Sequence, residues 1–182
     1  VLDVASGGGY RARLIAELVG ETGRVDIHNT PGWIAQFPSM DPDRMARAID
    51  RANVSFLTTP WNELDAPPGT YDAIVMGQVY HDIILEGADF EAMNRRLFEM
   101  LKPGGMLVIE DHDANPDMPP GQQVVLHRID QHTVKRQMER VGFETVDVVA
   151  LPSPHDDIRF NVFRPGIRGR TTRYVLGFRK PG

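Results

Sequence analysis

Three successive glycines follow a short apolar segment near the start of the chain, within the sequence DVASGGG (3–9). Glycines let a backbone approach a bound ligand closely and then continue into a helix. Three in a row exceed what a plain strand-to-helix turn requires, so this loop predicts a ligand site. Asp3, four residues before Gly7, would attract a cationic or zwitterionic ligand and would repel a pyrophosphate at short range.

Two histidine–acid pairs stand at the ends of two later apolar segments. The pair His81-Asp82 follows the segment 71–76, and the pair Asp111-His112 ends the next one. Because the carboxyl ends of parallel strands meet at one edge of a sheet, the two pairs would converge on one mouth. An imidazole there can take a proton from a reacting group. We expect His81 to be this base, with Asp82 or Asp111 orienting it, and His112 to be the second candidate; the alternative for each histidine is a structural role.

The same side chains could bind a metal ion through nitrogen and oxygen. The candidate ligands are His81, Asp82, Asp111, His112, Asp113 and His127. No two of these histidines have the H-x-x-x-H spacing that places two ligands on one helix face, and carboxylates are expected beside a cationic ligand in any case. The sequence therefore predicts no metal.

Apolar strand-like segments alternate with helical patterns along the chain. The predicted strands are 1–4, 24–28, 54–57, 71–76, 106–110, 144–149 and 173–178, and the predicted helices are 10–19, 41–52, 90–101 and 132–141. This alternation predicts an α/β fold, with a seven-stranded, mostly parallel sheet and helices on both faces. No helical pattern separates the last two strands, which predicts an antiparallel C-terminal edge strand. The irregular segment 152–170 is long enough to be a substrate lid or an ordered edge loop.

Four segments, in the expected order, resemble the class I S-adenosylmethionine-dependent methyltransferases. They are LDVASGGG (2–9), YDAIVMGQVYHD (71–82), LKPGGMLVIEDH (101–112) and VGFETVDV (141–148). Shorter stretches are similar to a group of bacterial predicted methyltransferases of uncertain substrate, namely YHD (80–82), EDH (110–112), LHRID (126–130) and RGRTTRYVLGFRKP (168–181). The resemblance covers nearly the whole chain. It implies one Rossmann-like methyltransferase domain over 1–182, with S-adenosyl-L-methionine as its cofactor.

The resemblance also implies which residues bind the cofactor. They are Asp3, Ser6, Gly7, Gly9, Asn29, Trp61, Asn62 and Gln78. Asn29 stands where an acidic residue normally binds the ribose hydroxyls; an amide can still bond to a diol, but without a charge-assisted bond. Trp61 and Asn62 fall where the family binds the adenine, and core packing is the alternative for Trp61. Gln78 would face both the cofactor and the acceptor.

Residues before the last predicted helix have two interpretations. His127 and Arg128 could hold a polar acceptor above the sheet. Alternatively, Arg128 bridges to a surface carboxylate and Asp130 caps the helix.

Two other functions stay open at this point. The loop also matches the loose dinucleotide pattern G-x-G-x-x-A at 7–12, so an NAD(P)-dependent Rossmann oxidoreductase is one alternative. That function needs an acidic residue where Asn29 stands. A non-catalytic S-adenosylmethionine-binding module is the other alternative, favoured by Asn29 and by Pro60, which lies close to a position where an acidic residue is common.

Composition restricts the partners. The 182 residues carry a net charge of −5 and the pI is about 5.7, whereas a nucleic-acid binder usually has a basic face. We therefore expect a small-molecule substrate and no nucleic acid. No apolar run approaches the roughly 18 residues of a membrane span, and the absence of cysteine excludes disulfides and thiolate metal sites. Val1 lies inside an apolar run with no initiator Met, so we expect a missing N-terminal segment. We favour a cytoplasmic location.

Overall fold

A computed structural model describes the whole chain, Val1–Gly182. The strands are β1 (Leu2–Val4), β2 (Val25–His28), β3 (Val54–Leu57), β4 (Tyr71–Gly77), β5 (Leu101–His112), β6 (Glu144–Leu151) and β7 (Arg173–Arg179). The helices are α1 (Tyr10–Leu18), α2 (Pro31–Gln36), α3 (Pro42–Ile49), α4 (Tyr80–Leu85), α5 (Phe90–Met100), α6 (Pro120–Val125) and α7 (Gln131–Val141), with 3-10 turns at Pro38–Met40 and Trp61–Glu63. None of the helices combines the length and the apolar character needed to cross a membrane.

The strands form one seven-stranded sheet in the order β3-β2-β1-β4-β5-β7-β6. Only β7 runs antiparallel to its neighbours, so the predicted α/β class with a mostly parallel sheet and an antiparallel C-terminal strand is confirmed. The position of that strand differs from the prediction, because β6 and not β7 lies at the edge. The side chains of Tyr174, Leu176 and Phe178 in β7 are almost completely buried, whereas no residue of β6 is buried. The inner position thus buries β7 on both faces, whereas β6 at the edge stays largely exposed.

Two apolar clusters form the core. The larger cluster packs α5 and α7 against β1, β4, β5 and β7, and the smaller one packs α1 and α3 against β2. The buried apolar residues of α5 (Met93, Leu97 and Met100) recur at helical spacing, as expected for a helix with one face on a sheet. The two clusters fix the strands whose carboxyl ends carry the polar residues singled out above.

The helix ends carry the signals that the sequence showed. The carboxylate of Asp41 accepts a hydrogen bond of 2.9 Å from the backbone N–H of Arg44 and so caps α3. Asp130 caps α7 in the same way through the N–H of Thr133, at 2.9 Å, which confirms the capping interpretation of that residue. Gly142 ends α7 with φ of 111°, a conformation that glycine adopts without strain.

Three short helices, α2, α4 and α6, were not predicted. Each has six residues, which is fewer than two turns and too short for a hydrophobic period to be recognised. Each follows the carboxyl end of a strand: β2, β4 and β5, respectively. The elements missing from the prediction are therefore those that surround the mouth of the sheet.

Candidate active site

The glycine loop joins β1 to α1 at the carboxyl edge of the sheet. Gly9 is the N-cap of α1 with φ of 82°, and a Cβ there would lie 2.8 Å from Cε of Met45. A side chain at position 9 would therefore be strained both by its backbone conformation and by its contact with α3. Glycine is therefore required at position 9, where the loop packs against α3, while the backbone at Gly8 is exposed.

Asp3 and Arg11 form an ion pair beneath this loop. The carboxylate of Asp3 is completely buried, and Nε of Arg11 donates to its Oδ1 at 2.7 Å. Burial raises the pKa of Asp3, and the charge of Arg11 opposes that shift. Oδ2 of Asp3 and Oγ of Ser6 are buried without a hydrogen-bond partner in the protein. Such atoms at a glycine loop fit a polar ligand that would complete their bonds.

Arg11 was not recognised in the sequence. The available signal was a basic residue in the first turn of the helix that follows the glycines, eight residues after Asp3. The guanidinium lies over Gly77, at the end of β4, and a Cβ at that position would collide with it. Gly77 therefore makes room for the Asp3–Arg11 pair between β1 and β4.

Replacement of Gly77 by alanine should displace Arg11 and weaken binding of S-adenosylhomocysteine about tenfold, as expected for the loss of one charge-assisted hydrogen bond. The end of a flexible arginine can move aside, so we expect the fold to persist. Isothermal titration calorimetry would measure the affinity. Gly121→Ala is the matched control, because a Cβ at position 121 meets no atom within 4 Å. Equal affinities for the two variants would exclude this role for Gly77.

Asn29 holds the glycine loop through two hydrogen bonds to Gly7. Its Oδ1 accepts from the N–H of Gly7 at 3.0 Å, and its Nδ2 donates to the carbonyl of Gly7 at 2.9 Å. The side chain is buried. Both ends of the amide thus hold the loop in shape, which gives a physical reason for an amide where an acidic residue was expected. Its contact with a ribose stays a prediction.

Trp61 and Asn62 occupy different environments. Trp61 is only 5% exposed, belongs to the larger apolar cluster, and donates its indole N–H to Glu86 at 2.7 Å. This position agrees with the core-packing alternative for Trp61. Oδ1 of Asn62 accepts from the N–H of Asp89 at 3.1 Å, at the start of α5. A role in adenine binding stays a prediction for both residues.

Gln78 follows β4 in an unusual backbone conformation. Its φ is 56°, in the left-handed region that non-glycine residues rarely adopt. Its side chain is exposed, and Nε2 donates to Oε1 of Glu110 at 3.2 Å. Strained residues of this kind cluster at functional sites, which agrees with the predicted position of Gln78 at the mouth of the sheet.

The two histidine–acid pairs do converge, as predicted. Nδ1 of His81 donates to Oδ1 of Asp111 at 2.7 Å, and the backbone N–H of His81 donates to Oδ2 at 3.1 Å. Nε2 of His81 lies 3.3 Å from Oδ1 of Asp82. Burial by itself would lower the pKa of His81, but Asp111 and Asp82 outweigh it and raise this pKa to about 10. The rings of His81 and His112 lie 6.0 Å apart.

His112 lies in a different electrostatic environment. Burial is the main reason that its pKa falls to about 4. The positive charges of His81, Arg128 and Arg173 also lower this pKa, whereas the charge of Asp111 raises it. Its Nδ1 shares a hydrogen bond of 2.8 Å with Oγ1 of Thr171, and its Nε2 has no hydrogen bond within the protein. His112 is therefore the neutral imidazole of the pair, with one nitrogen free.

A third histidine completes the cluster. His127 follows α6 with φ of 54°, and its Nδ1 lies 3.3 Å from the same Oδ1 of Asp82 that faces His81. The rings of His127 and His81 meet edge to face at 5.4 Å. The sequence suggested His127 only as a possible ligand or acceptor contact, because nothing in the spacing shows that residues 82 and 127 meet.

A pocket of about 510 Å³ opens onto these side chains. Its walls come from α2 and the turn after it, from α4, from the end of β5, and from the segment 152–170. The lining residues are Trp33, Gln36, Phe37, Met40, Gln78, His81, Asp82, Leu85, Glu86, His112, His127, Val162 and Phe163. Met40 also borders the glycine loop, with Cε 3.9 Å from the place of a Cβ on Gly7. The pocket and the loop are therefore neighbours.

Arg128 anchors the segment 152–170 beside this pocket. Its side chain is completely buried, and Nη2 lies 2.7 Å from Oδ1 of the equally buried Asp156. Nε donates to the carbonyl of Phe160 at 2.8 Å and Nη1 to that of Asp113 at 2.9 Å. The prediction that Arg128 holds the acceptor is therefore wrong, because its side chain is buried and bonds to the protein. The alternative of a bridge to a carboxylate holds, except that this carboxylate is buried and not at the surface.

Comparisons with known proteins identify the family. A family model described as "Methyltransferase domain" matches residues 1–148. The ubiquinone/menaquinone biosynthesis C-methyltransferase UbiE of Escherichia coli (strain K12 / DH10B) is similar, with 26% identity. The alignment covers 83% of this chain and 68% of that protein.

Solved structures share the fold. An S-adenosylmethionine-dependent methyltransferase from Aquifex aeolicus superposes with a TM-score of 0.71 at 18% identity, over 98% of this chain and 80% of that one. The N-methyltransferase NodS from Bradyrhizobium japonicum WM9, in complex with S-adenosyl-L-homocysteine, superposes with a TM-score of 0.69 at 15% identity, over 100% and 77% of the two chains.

The family model spans most of the chain, and the fold agrees with that of the solved structures. The predicted fold class and cofactor are confirmed, and nothing favours the oxidoreductase or the non-catalytic module. The chain belongs to the methyltransferase domain family, as a class I S-adenosylmethionine-dependent enzyme.

Proposed function

We propose that this methyltransferase acts on a small-molecule acceptor held in the pocket of about 510 Å³. The observation that carries the proposal is the convergence of His81, Asp82 and His112 on a pocket that borders the glycine loop. A cavity of this size suits a small ligand. Its mixed lining of aromatic and ionisable side chains suits an acceptor that is partly apolar and carries a polar nucleophile.

The glycine loop and its supports would hold the cofactor. Ser6 and Asp3 each contribute a buried oxygen without a partner, and Arg11 contributes a cation at the same place. These groups are suited to the zwitterionic methionine part of the ligand, and the backbone of Gly7 and Gly9 to its close approach. S-adenosylmethionine supplies an electrophilic methyl group when it is bound, so that the protein has mainly to align the acceptor. Alignment of this kind lowers a barrier by about 7–11 kcal/mol.

We assign proton removal to His112 in place of His81. Both ring nitrogens of His81 already face carboxylates, whereas Nε2 of His112 is free. With Nδ1 of His112 donating to Oγ1 of Thr171, the lone pair of Nε2 can accept a proton from the acceptor. Bound S-adenosylmethionine would supply the methyl group, and the proton that Nε2 takes from the acceptor would pass on to solvent, because the pKa of His112 is lowered to about 4.

A thermal shift assay tests the cofactor part of this proposal. S-adenosylhomocysteine at 100 times its Kd should stabilise the protein by about 2.7 kcal/mol, because a ligand that binds only the folded state adds its binding free energy to folding. NADH and NADPH at equal concentrations should give no shift, since a dinucleotide site needs an acidic residue for its ribose where the buried Asn29 instead holds Gly7. A shift with a nicotinamide nucleotide alone would contradict the proposal.

A further inference from the structure

Three ligand atoms converge at the floor of the pocket. They are Nε2 of His81, Oδ1 of Asp82 and Nδ1 of His127, and all lie within 4.8 Å of one another. Each of the two nitrogens lies 3.3 Å from the carboxylate oxygen. Ligands bound to zinc at about 2.0–2.1 Å in a tetrahedron are about 3.3–3.4 Å apart. The two nitrogen–oxygen separations are thus near those that a bound cation would require.

Asp111 orients His81 in the way that carboxylates orient metal-binding histidines. Its Oδ1 accepts from Nδ1 of His81 at 2.7 Å, so Nε2 is the nitrogen that faces Asp82. Oδ1 also accepts from the backbone N–H of His112 at 2.7 Å, and the carboxylate is completely buried. A buried carboxylate that fixes both the tautomer and the ring orientation is the usual outer-sphere partner of a metal-binding histidine.

His127 is held toward the cluster by a strained backbone. Its φ of 54° is rare for a residue with a side chain, and its ring packs edge to face on Phe163 at 4.8 Å. The ion pairs of Asp82 and Asp111 involve only histidines, with no lysine or arginine. The two carboxylates of this largely buried cluster therefore take their counter-charge from imidazoles, which can exchange a proton for a metal ion.

We propose that His81, Asp82 and His127 bind one divalent first-row metal ion whose open coordination positions face the acceptor pocket. Two imidazoles and one carboxylate suit Zn²⁺, Fe²⁺ or Co²⁺ better than the oxygen-seeking Mg²⁺ or Ca²⁺. Three protein ligands leave positions free for a further ligand, as in catalytic metal sites. Resting on the proposed function, this assigns the acceptor to small molecules that present an oxygen ligand, such as a hydroxyl, to the ion. The sequence had predicted no metal because no two of its candidate histidines have a helical ligand spacing and because carboxylates are expected beside a cationic cofactor.

The test is a titration of the chelator-treated, full-length chain with Zn²⁺, followed by calorimetry. We expect one site of micromolar or tighter affinity. His127→Ala should weaken it at least about 100-fold, since it removes a direct ligand. His155→Ala is the matched control, because His155 is exposed and outside the pocket. Weak binding by the unchanged protein, or equal losses in both variants, would overturn the proposal.

Two further measurements keep the result decisive. Asp82→Asn removes the charge of the carboxylate ligand, so this variant should also lose Zn²⁺. Because the amide keeps the side-chain shape, circular dichroism should show an unchanged fold. Co²⁺ bound to the unchanged protein should give visible d–d absorption, and acetohydroxamate, an oxygen ligand, should change that spectrum if positions are open toward the pocket. An unchanged spectrum would overturn the open coordination.

Binding of S-adenosylhomocysteine, measured on the metal-free protein, separates this inference from the proposed function. If the metal-free protein binds S-adenosylhomocysteine but not Zn²⁺, the metal site is refuted and the proposed function stands. If Zn²⁺ binds at His127 and S-adenosylhomocysteine does not bind, the proposed function fails while the metal site stands.

Discussion

Replacement of His112 by glutamine should lower the rate of methyl transfer by about 10²–10⁴-fold, the usual contribution of a positioned general base. Binding of S-adenosylhomocysteine should stay unchanged, because His112 ends β5 and its side chain bonds to Thr171 and to no residue of the glycine loop. The physical reason is the free Nε2, which the bond between Nδ1 and Oγ1 of Thr171 holds in place. Glutamine keeps a polar side chain of similar length but cannot take up a proton at neutral pH.

The measurement is the release of S-adenosylhomocysteine with an acceptor found by screening small hydroxyl and amino compounds. His155→Gln is the control and should retain the full rate, because this exposed histidine is remote from the pocket. Thr171→Val tests the orientation of the ring and should cause a smaller loss than His112→Gln. If His112→Gln turns over as fast as the unchanged protein, the proton acceptor is another group.

Replacement of Arg128 by methionine should lower the free energy of unfolding by about 3–5 kcal/mol, the usual cost of leaving one partner of a buried ion pair alone. Asp156 would keep a buried charge without its cation, and the carbonyls of Asp113 and Phe160 would lose their donors. Equilibrium unfolding in urea would measure the change. The segment 152–170 should also become more sensitive to limited proteolysis, since Arg128 contacts both Asp156 and Phe160 within it.

A second substitution isolates the cause. Arg128→Met combined with Asp156→Leu removes both charges, and should recover much of the stability lost in the single variant, because two matched apolar side chains often replace a buried ion pair at little cost. Arg128→Lys should not recover it, since an ammonium cannot reach the three oxygens that the guanidinium contacts. Equal stability of Arg128→Met and the unchanged protein would show that the anchor is dispensable.

Much of the fold follows from local patterns. Strands, long helices and their caps at Asp41 and Asp130 were predicted because each depends on residues that are near one another in the sequence. The three helices of six residues were missed because they have fewer than the two turns over which a helical period can be recognised. The exchange of β6 and β7 at the edge was missed for another reason: it depends on how much of each strand is covered after folding.

The sequence by itself determined that a glycine loop and two histidine–acid pairs would meet at the carboxyl edge of a mostly parallel sheet, because strand ends in such a sheet share one edge. The tertiary structure alone decided their detailed surroundings. It joined His127 to Asp82, His112 to Thr171 across 59 positions, and Arg128 to Asp156 across 28. These contacts have no local signature, since they form only when the loops after different strands pack together. Burial and charge at such contacts then set which imidazole holds a proton and which nitrogen stays free.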